Sequence, residues 1–175
     1  MLKTQVPCIP GYEGEKQSNE ILCAEAEDIG MPVMIKAAGG GGGLGMRRVD
    51  VVEQLPQAIE LARSEAKRAF GKGDLIIERA LEGARHVEVQ IFADMQGNFI
   101  HLGERDCSLQ RRHQKVLEES PCPVMTHKLR DAMGCSAVEA ARAVDYVGAG
   151  TVEFLLDKEE NFFFLEMNTR LQVEH

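Results

Sequence analysis

Apolar positions recur along this chain with two periods, and the alternation between them divides it into elements. Helical spacing runs from about Ser18 to Ile29, then Gly30 and Pro32 lead into the short apolar strand Val33-Met34-Ile35-Lys36-Ala37. After a glycine run, Met46-Arg47-Arg48-Val49 returns as a second strand, and the segment to Phe70 places Leu55, Ile59, Ala62, Ala66 and Phe70 on one helical face. Leu75-Ile76-Ile77-Glu78 reads as another strand. A composition shift follows near Leu81 to Ala84, after which His86-Val87-Glu88-Val89-Gln90-Ile91 alternates polar and apolar, the mark of a half-buried strand. The turn Gln96-Gly97-Asn98 reverses it into Phe99 to Glu104, and a polar run extends from Arg105 to Glu119. Thr126 is placed to cap a helix carrying Leu129, Met133, Ala137, Ala140 and Val144, and two strands close the sequence. Strands mixed with helices, with hairpins late in the chain, predict an α+β fold with mainly antiparallel sheet. Residues 1–14, with two prolines and two glycines, read as a connecting segment.

The strand ending at Lys36 runs into Ala37-Ala38-Gly39-Gly40-Gly41-Gly42-Gly43-Leu44-Gly45-Met46, a backbone whose amides can approach a ligand closely, with phosphate the natural partner. Gly40, Gly42 and Gly45 satisfy the G-x-G-x-x-G spacing of dinucleotide folds, but that fingerprint opens a helix and here a strand follows. Gly40 and Gly45 also have P-loop spacing, yet Met46-Arg47 stands where Lys-Ser/Thr is required. What remains is a strand-loop-strand flap over nucleotide phosphates, with Lys36 supplying a point charge, against the bland alternative of a flexible linker.

The stretch from Thr151 to Glu174 carries the most chemistry. If Asp157 pairs with Phe162 across a four-residue loop, Glu153 falls opposite Glu166 on the same face. Like charges so placed cost roughly 0.2 to 1 kcal/mol when exposed, and a bridging cation resolves the conflict. Oxygen-only ligands favour Mg²⁺ or Mn²⁺ over zinc. At period two from Glu166 come Asn168, Arg170, Gln172 and Glu174: Asn168 adds a metal-ligating oxygen, Arg170 can fork a small planar anion, and Glu174 is close enough to act as a base. A solvated edge strand is the bland alternative.

The chain has 175 residues, 44% of them hydrophobic, enough for a sizeable core. Its 28 acidic against 20 basic residues give a net charge of -8, which argues against nucleic acid as a partner, so an anionic ligand needs a local basic site. Such a site is hinted at by Arg105, Arg111, Arg112, His113 and Lys115, although a solvated loop accounts equally well for that run. No apolar run approaches the roughly 20 residues of a membrane helix, and the opening residues are too polar for a signal peptide, so no membrane association is expected. The five cysteines are an odd number without zinc-knuckle spacing and read as reduced intracellular thiols. Cys107 among arginines sits where a thiol pKa can be lowered, but no base is assigned to it.

Taken in order, VPCIPG, MPVMIKAAGGGGGLGMR, ARHVEVQ, ERDCSLQRRHQKVLEE, GAGTVEFL and FLEMNTRLQVEH resemble the biotin carboxylase component of biotin-dependent carboxylases, a branch of the ATP-grasp superfamily, over nearly the whole chain. The resemblance implies an ATP-grasp fold with residues 15–80 as the glycine-flap subdomain and 81–175 as part of the catalytic subdomain, truncated at its C-terminus. It implies that the flap, with Gly41, Gly42 and Gly43, closes over MgATP and that Lys36 contacts phosphate. Glu78, Leu81, His86, Gln110 and His113, with Glu153 and Glu166, match nucleotide-site positions. Glu153, Glu166 and Asn168 match the metal site (Mg²⁺ or Mn²⁺). Arg170, Gln172 and Val173 match positions that hold bicarbonate, Glu174 matches the base that deprotonates it, and Lys115 matches an active-site position. Bicarbonate then attacks the γ-phosphate to give carboxyphosphate, which delivers CO₂ to biotin on a carrier domain; a carboxyltransferase is the further partner, and a homo-oligomer the expected assembly. Arg79 departs from the family in standing where Lys is common. The family also has an N-terminal domain with another ATP-site Lys and a continuation past His175 with an Arg, so these 175 residues alone are expected to bind nucleotide weakly and not to turn over. An acetyl-, propionyl-, methylcrotonyl- or geranyl-CoA carboxylase, or pyruvate carboxylase, would be the full enzyme, in the bacterial cytoplasm or the mitochondrial matrix. Another ATP-grasp ligase such as carbamoyl phosphate synthetase, and a non-catalytic nucleotide-binding module, are the alternatives.

Overall fold

The structure is a computed structural model that describes residues 4–39, 45–111, 114–170 and 172. The chain divides into two compact units, Ile9–Ala80 and Met1–Cys8 with Leu81–His175.

The first unit is a four-stranded antiparallel sheet of β1 (Gly11–Tyr12), β2 (Val33–Ala37), β3 (Arg47–Val49) and β4 (Leu75–Arg79) in the order β1-β4-β2-β3, with helices α1 (Asn19–Ile29) and α2 (Leu55–Phe70). Its sheet is amphipathic as period two requires: Val33, Ile35 and Ala37 are buried while Met34 and Lys36 are only partly so, and Leu75 and Ile77 match them on β4. Leu22 and Ala26 of α1 and Leu55, Ile59, Ala62 and Ala66 of α2 belong to the same core. The helices begin and end for local reasons. Ser18 caps α1 by accepting from the Ile21 amide at 3.4 Å, and α2 ends at Gly71, whose left-handed φ of 77° lets its amide reach the Lys67 carbonyl. Phe70, expected on the buried face, is the last residue of α2 and stands 36% exposed.

β1 lies within the segment read as a connection. A Cβ at Gly11 would come within 2.4 Å of the Ile77 carbonyl oxygen, so only glycine lets β1 pair with β4 there.

The second unit is a five-stranded antiparallel sheet: β5 (Arg85–Ala93), β6 (Phe99–Arg111), β7 (Gln114–Glu119), β8 (Gly148–Leu156) and β9 (Phe162–Asn168) in the order β7-β6-β5-β8-β9. One face packs Val87, Val89, Ile91, Val152 and Phe154 against Leu129, Met133, Ala137 and Ala140 of α3 (His127–Arg142), with Val6 in the same core. Phe154 meets Phe162 edge to face at 5.5 Å. α3 is capped by the Thr126 hydroxyl as the sequence predicts, but it ends at Arg142, so Val144 lies outside it and is 56% exposed.

Two sequence expectations change here. β5 is not half-buried: Val87, Glu88, Val89, Gln90 and Ile91 are all buried, because β5 is the central strand and Arg105 and Lys115 of β6 and β7 engage its polar side chains. The polar run after Glu104 is not a loop. Among the described residues it forms the far half of β6 and all of β7, an edge hairpin that is buried at Arg105, Asp106 and Cys107 and exposed or half-exposed over the rest.

Candidate active site

In the first unit, register pairs Met34 with Glu78 and Lys36 with Ile76, which puts Lys36 and Glu78 diagonally on one face of the sheet. They form an ion pair, both side chains partly buried. Lys36 is the last partly exposed residue of β2 before the glycine run. Gly41, Gly42 and Gly43 lie outside the described residues.

In the second unit the face of the sheet opposite α3 is a layer of buried polar groups. Register fixes its centre: Glu88 is opposite Arg105 on one side and opposite Glu153 on the other. The Glu88 side chain is fully buried and both its oxygens are engaged, Oε1 by Arg105 Nε at 2.6 Å and Oε2 by the Lys115 ammonium. Lys115 also reaches Glu153 Oε1 at 2.9 Å, so one cation bridges two carboxylates. Glu153 accepts further from Asn168 Nδ2 at 2.6 Å and contacts the His86 ring, whose Nδ1 lies 2.7 Å from the Gln110 amide nitrogen. Gln110 also donates to the Cys107 carbonyl at 2.8 Å, which fixes its orientation.

The charge states follow from these contacts. Burial disfavours the Glu153 carboxylate, but the hydrogen bond and charge of His86 and those of Lys115 outweigh it and hold its pKa down to about 2. Burial disfavours the Lys115 ammonium too, yet its bonds to Glu88 and Glu153 push its pKa above the ordinary lysine value. Lys115 is therefore a permanent positive charge and not a proton acceptor. For Cys107 the sequence hint is overturned: burial, reinforced by the Glu88 charge, raises its thiol far above the ordinary range, which leaves it inert. Sγ of Cys107 and oxygens of Glu88 and Glu118 lie within 4.8 Å of one another, but Lys115 and Arg105 already neutralise Glu88 there.

Glu166 lies opposite Glu153, half-buried on β9. The route to that pairing differs from the expected one. Phe162 pairs with Leu156, not Asp157, and the register then shifts between Phe154–Phe164 and Glu153–Glu166, leaving Leu165 as an extra residue. The bulge offsets the one-residue error at the turn. Glu153, Glu166 and Asn168 thus stand on neighbouring strands, with Asn168 turning Nδ2 to a Glu153 whose oxygens also meet Lys115 and His86; with the Asn168 amide turned over and Lys115 drawn off, the three would offer oxygens of the hard kind that suits Mg²⁺ or Mn²⁺. Gly150 keeps this corner tight, since a Cβ there would stand 2.9 Å from the Asn168 carbonyl oxygen.

β9 ends at Asn168, so Thr169 and Arg170 stand beyond the ladder, and most of the extended strand expected from there to Glu174 lies outside the described residues. Arg170 is exposed just beyond it, while Gln172 is buried and accepts from Arg105 Nη2 at 2.6 Å. Leu81 is half-buried between β4 and β5 and, being apolar, takes no part in the polar layer. His113, Val173 and Glu174 lie outside the described residues. Sequence reasoning missed Glu88, Gln90 and the ligation of Arg105. The signal for the first two was the alternation after His86, which sets all three on one face.

Over residues 1–175 the chain matches the family described as carbamoyl-phosphate synthase L chain, ATP binding domain. The chain belongs to that family. Within this ATP-binding family it is 57% identical to the mitochondrial methylcrotonoyl-CoA carboxylase subunit alpha of Dictyostelium discoideum, across 100% of this chain and 25% of that protein. The crystal structure of a biotin carboxylase β-γ-ATP complex from Campylobacter jejuni superposes with a TM-score of 0.94 at 50% identity, covering 99% of this chain and 39% of that one. The biotin carboxylase domain dimer of Hydrogenobacter thermophilus 2-oxoglutarate carboxylase, in complex with MgADP, ADP and bicarbonate, gives a TM-score of 0.92 at 45% identity over 99% of this chain and 38% of that one. This ATP-binding domain therefore spans between 25% and 39% of these three relatives, and its α+β architecture is that of biotin carboxylase ATP-grasp domains.

Proposed function

We propose that this chain is the ATP-grasp portion of a biotin carboxylase, which carboxylates biotin with bicarbonate at the expense of ATP. The observation that carries the reading is the opposed pair Glu153 and Glu166 with Asn168, set beside a lysine held positive in a buried layer. A divalent cation, Mg²⁺ or Mn²⁺, held by Glu153, Glu166 and Asn168 supplies charge neutralisation at transferring phosphoryl oxygens. Lys115 adds a fixed positive charge to the same layer, and Lys36 with the glycine loop Gly41 to Gly43 contacts phosphate, with Glu78, Leu81, His86, Gln110 and His113 as the remaining nucleotide contacts. These groups act by position and charge, which is what phosphoryl transfer requires.

Arg170, Gln172 and Val173 hold bicarbonate and Glu174 removes its proton. The freed oxygen forms a bond to the γ-phosphorus as the bond to ADP breaks. The resulting carboxyphosphate divides into CO₂ and phosphate, and CO₂ joins the ureido nitrogen of biotin as that nitrogen gives its proton to phosphate. Biotin arrives on a carrier domain, and a carboxyltransferase passes the carboxyl group to the final acceptor; the full protein assembles as a homo-oligomer. The relatives include a protein named mitochondrial and one from a bacterium, which supports a mitochondrial or a bacterial setting, and among the described residues no helix is long and apolar enough to cross a membrane.

The test is steady-state ADP release by the full-length polypeptide containing this segment. Turnover should depend on bicarbonate, rise with free biotin, and be lost in Glu166→Gln. Turnover indifferent to biotin would refute the assignment, and an active Glu166→Gln would refute the metal site.

A further inference from the structure

Arg105 is 4% exposed, sits in the polar layer of the second unit, and is assigned no role by the proposed reaction. Its contacts form a chain in which each orientation is forced. Gln90 Nε2 donates to the Gly150 carbonyl at 3.0 Å, a group that can only accept, so Gln90 must turn its Oε1 the other way, towards Arg105 at 3.3 Å. Arg105 has donors only. Its Nε is spent on Glu88 at 2.6 Å, and Nη2 donates to Gln172 Oε1 at 2.6 Å. A guanidinium cannot accept from an amide N–H, so Gln172 cannot flip: its oxygen faces Arg105 and its Nε2 faces away. Gln172 is 1% exposed, and its Nε2 has no hydrogen-bond partner among the described residues. A buried donor left so costs stability unless an acceptor arrives.

We infer that Arg105 is a positioning residue that locks the Gln172 amide with its buried N–H turned away from the guanidinium, so that the site accepts a small oxyanion at that point. The inference rests on the proposed role of Gln172 in holding bicarbonate. Arg105 itself does not touch the anion; it acts through Gln172, while Glu88 and Gln90 hold the guanidinium plane. Lysine, with one compact ammonium, can keep the charge beside Glu88 but lacks the second, rigidly placed nitrogen that reaches Gln172.

The experiment measures bicarbonate and ATP dependence of turnover in the full-length polypeptide for wild type, Arg105→Lys, Gln172→Ala and the double variant. Arg105→Lys should raise the bicarbonate KM about tenfold, the loss of one oriented hydrogen bond. Its ATP KM should stay within about twofold, since a lysine keeps a positive charge beside Glu88 and so leaves Lys115 in place on Glu88 and Glu153. In the Gln172→Ala background the same change should have no further effect on bicarbonate KM, because Arg105 has nothing left to orient. Effects that multiply in the double variant, or an unchanged bicarbonate KM in Arg105→Lys, overturn the inference. Should Arg105→Lys fold poorly, Gln172→Glu serves: it keeps the acceptor for Arg105, lacks the N–H, and should raise bicarbonate KM at least as much, whereas an unchanged value overturns the inference. A wild-type enzyme that turns over without bicarbonate would instead refute the proposed function itself, a distinct result.

Discussion

Glu88 is the keystone of the polar layer, and removing it gives a measurable stability loss. The side chain is fully buried, with Arg105 on one oxygen and Lys115 on the other. Truncating one partner of a buried ion pair costs about 3–5 kcal/mol, because the remaining charge is left desolvated. Lys115 keeps Glu153 and Arg105 keeps Glu118, Gln90 and Gln172, so the low end applies and Glu88→Ala should cost about 3 kcal/mol. For a domain of this size that lowers the melting temperature by about 6–12 °C. Glu88→Gln keeps the shape and one acceptor and should lose only about 1–2 kcal/mol. The assay is thermal unfolding followed by far-UV circular dichroism at neutral pH, with Lys115→Met added as a control. If the loss comes from stranded charge, Glu88→Ala with Lys115→Met should melt higher than Glu88→Ala alone. A Glu88→Ala melting point close to wild type, or no relief from the second change, would refute the reasoning.

Thiol chemistry should sort by burial: burial and the Glu88 charge hold the Cys107 thiol far up, burial pushes Cys122 up to about 11, and Cys135 is exposed. Mass spectrometry after alkylation at mildly basic pH should find Cys135 modified first and Cys107 protected until denaturant is added; fast labelling of Cys107 would contradict this. The Arg130 guanidinium, bonded to both Glu104 oxygens at 2.8 Å, holds that carboxyl below the usual range. A depressed folded pKa means stability present above the unfolded value and lost as pH falls, so Arg130→Met should cost about 1 kcal/mol at neutral pH, with the gap to wild type closing through the carboxylate range. Melting curves that run parallel at all pH values would argue against it. Gly150→Ala should cost about 1–3 kcal/mol by forcing the Asn168 carbonyl and the Tyr146 ring to move, again read by thermal unfolding.

Much of the fold was legible because its signals are local. Thr126 caps its helix, and the strands Val33–Ala37 and Leu75–Arg79 stand where the short apolar runs put them. What escaped was burial of polar positions. His86, Glu88 and Gln90 alternate with valines in the same way whether that face meets water or a buried ion network, and only the placement of β5 between β6 and β8 decides it. Arg105 was lost in a basic run for a similar reason: charge in sequence does not tell which guanidinium turns inward. The opposed glutamates emerged from an incorrect turn register that the bulge at Leu165 offset, an irregularity that no spacing rule encodes.

The central claim is that this ATP-binding domain serves biotin carboxylation, and the most direct test is to trap the product. The full-length polypeptide would be incubated with MgATP, radiolabelled bicarbonate and free biotin, and acid-labile carboxybiotin measured. The account predicts label in carboxybiotin that requires ATP and biotin and disappears in Glu166→Gln. Label that enters carbamoyl phosphate when ammonia replaces biotin, with none in carboxybiotin, would contradict it.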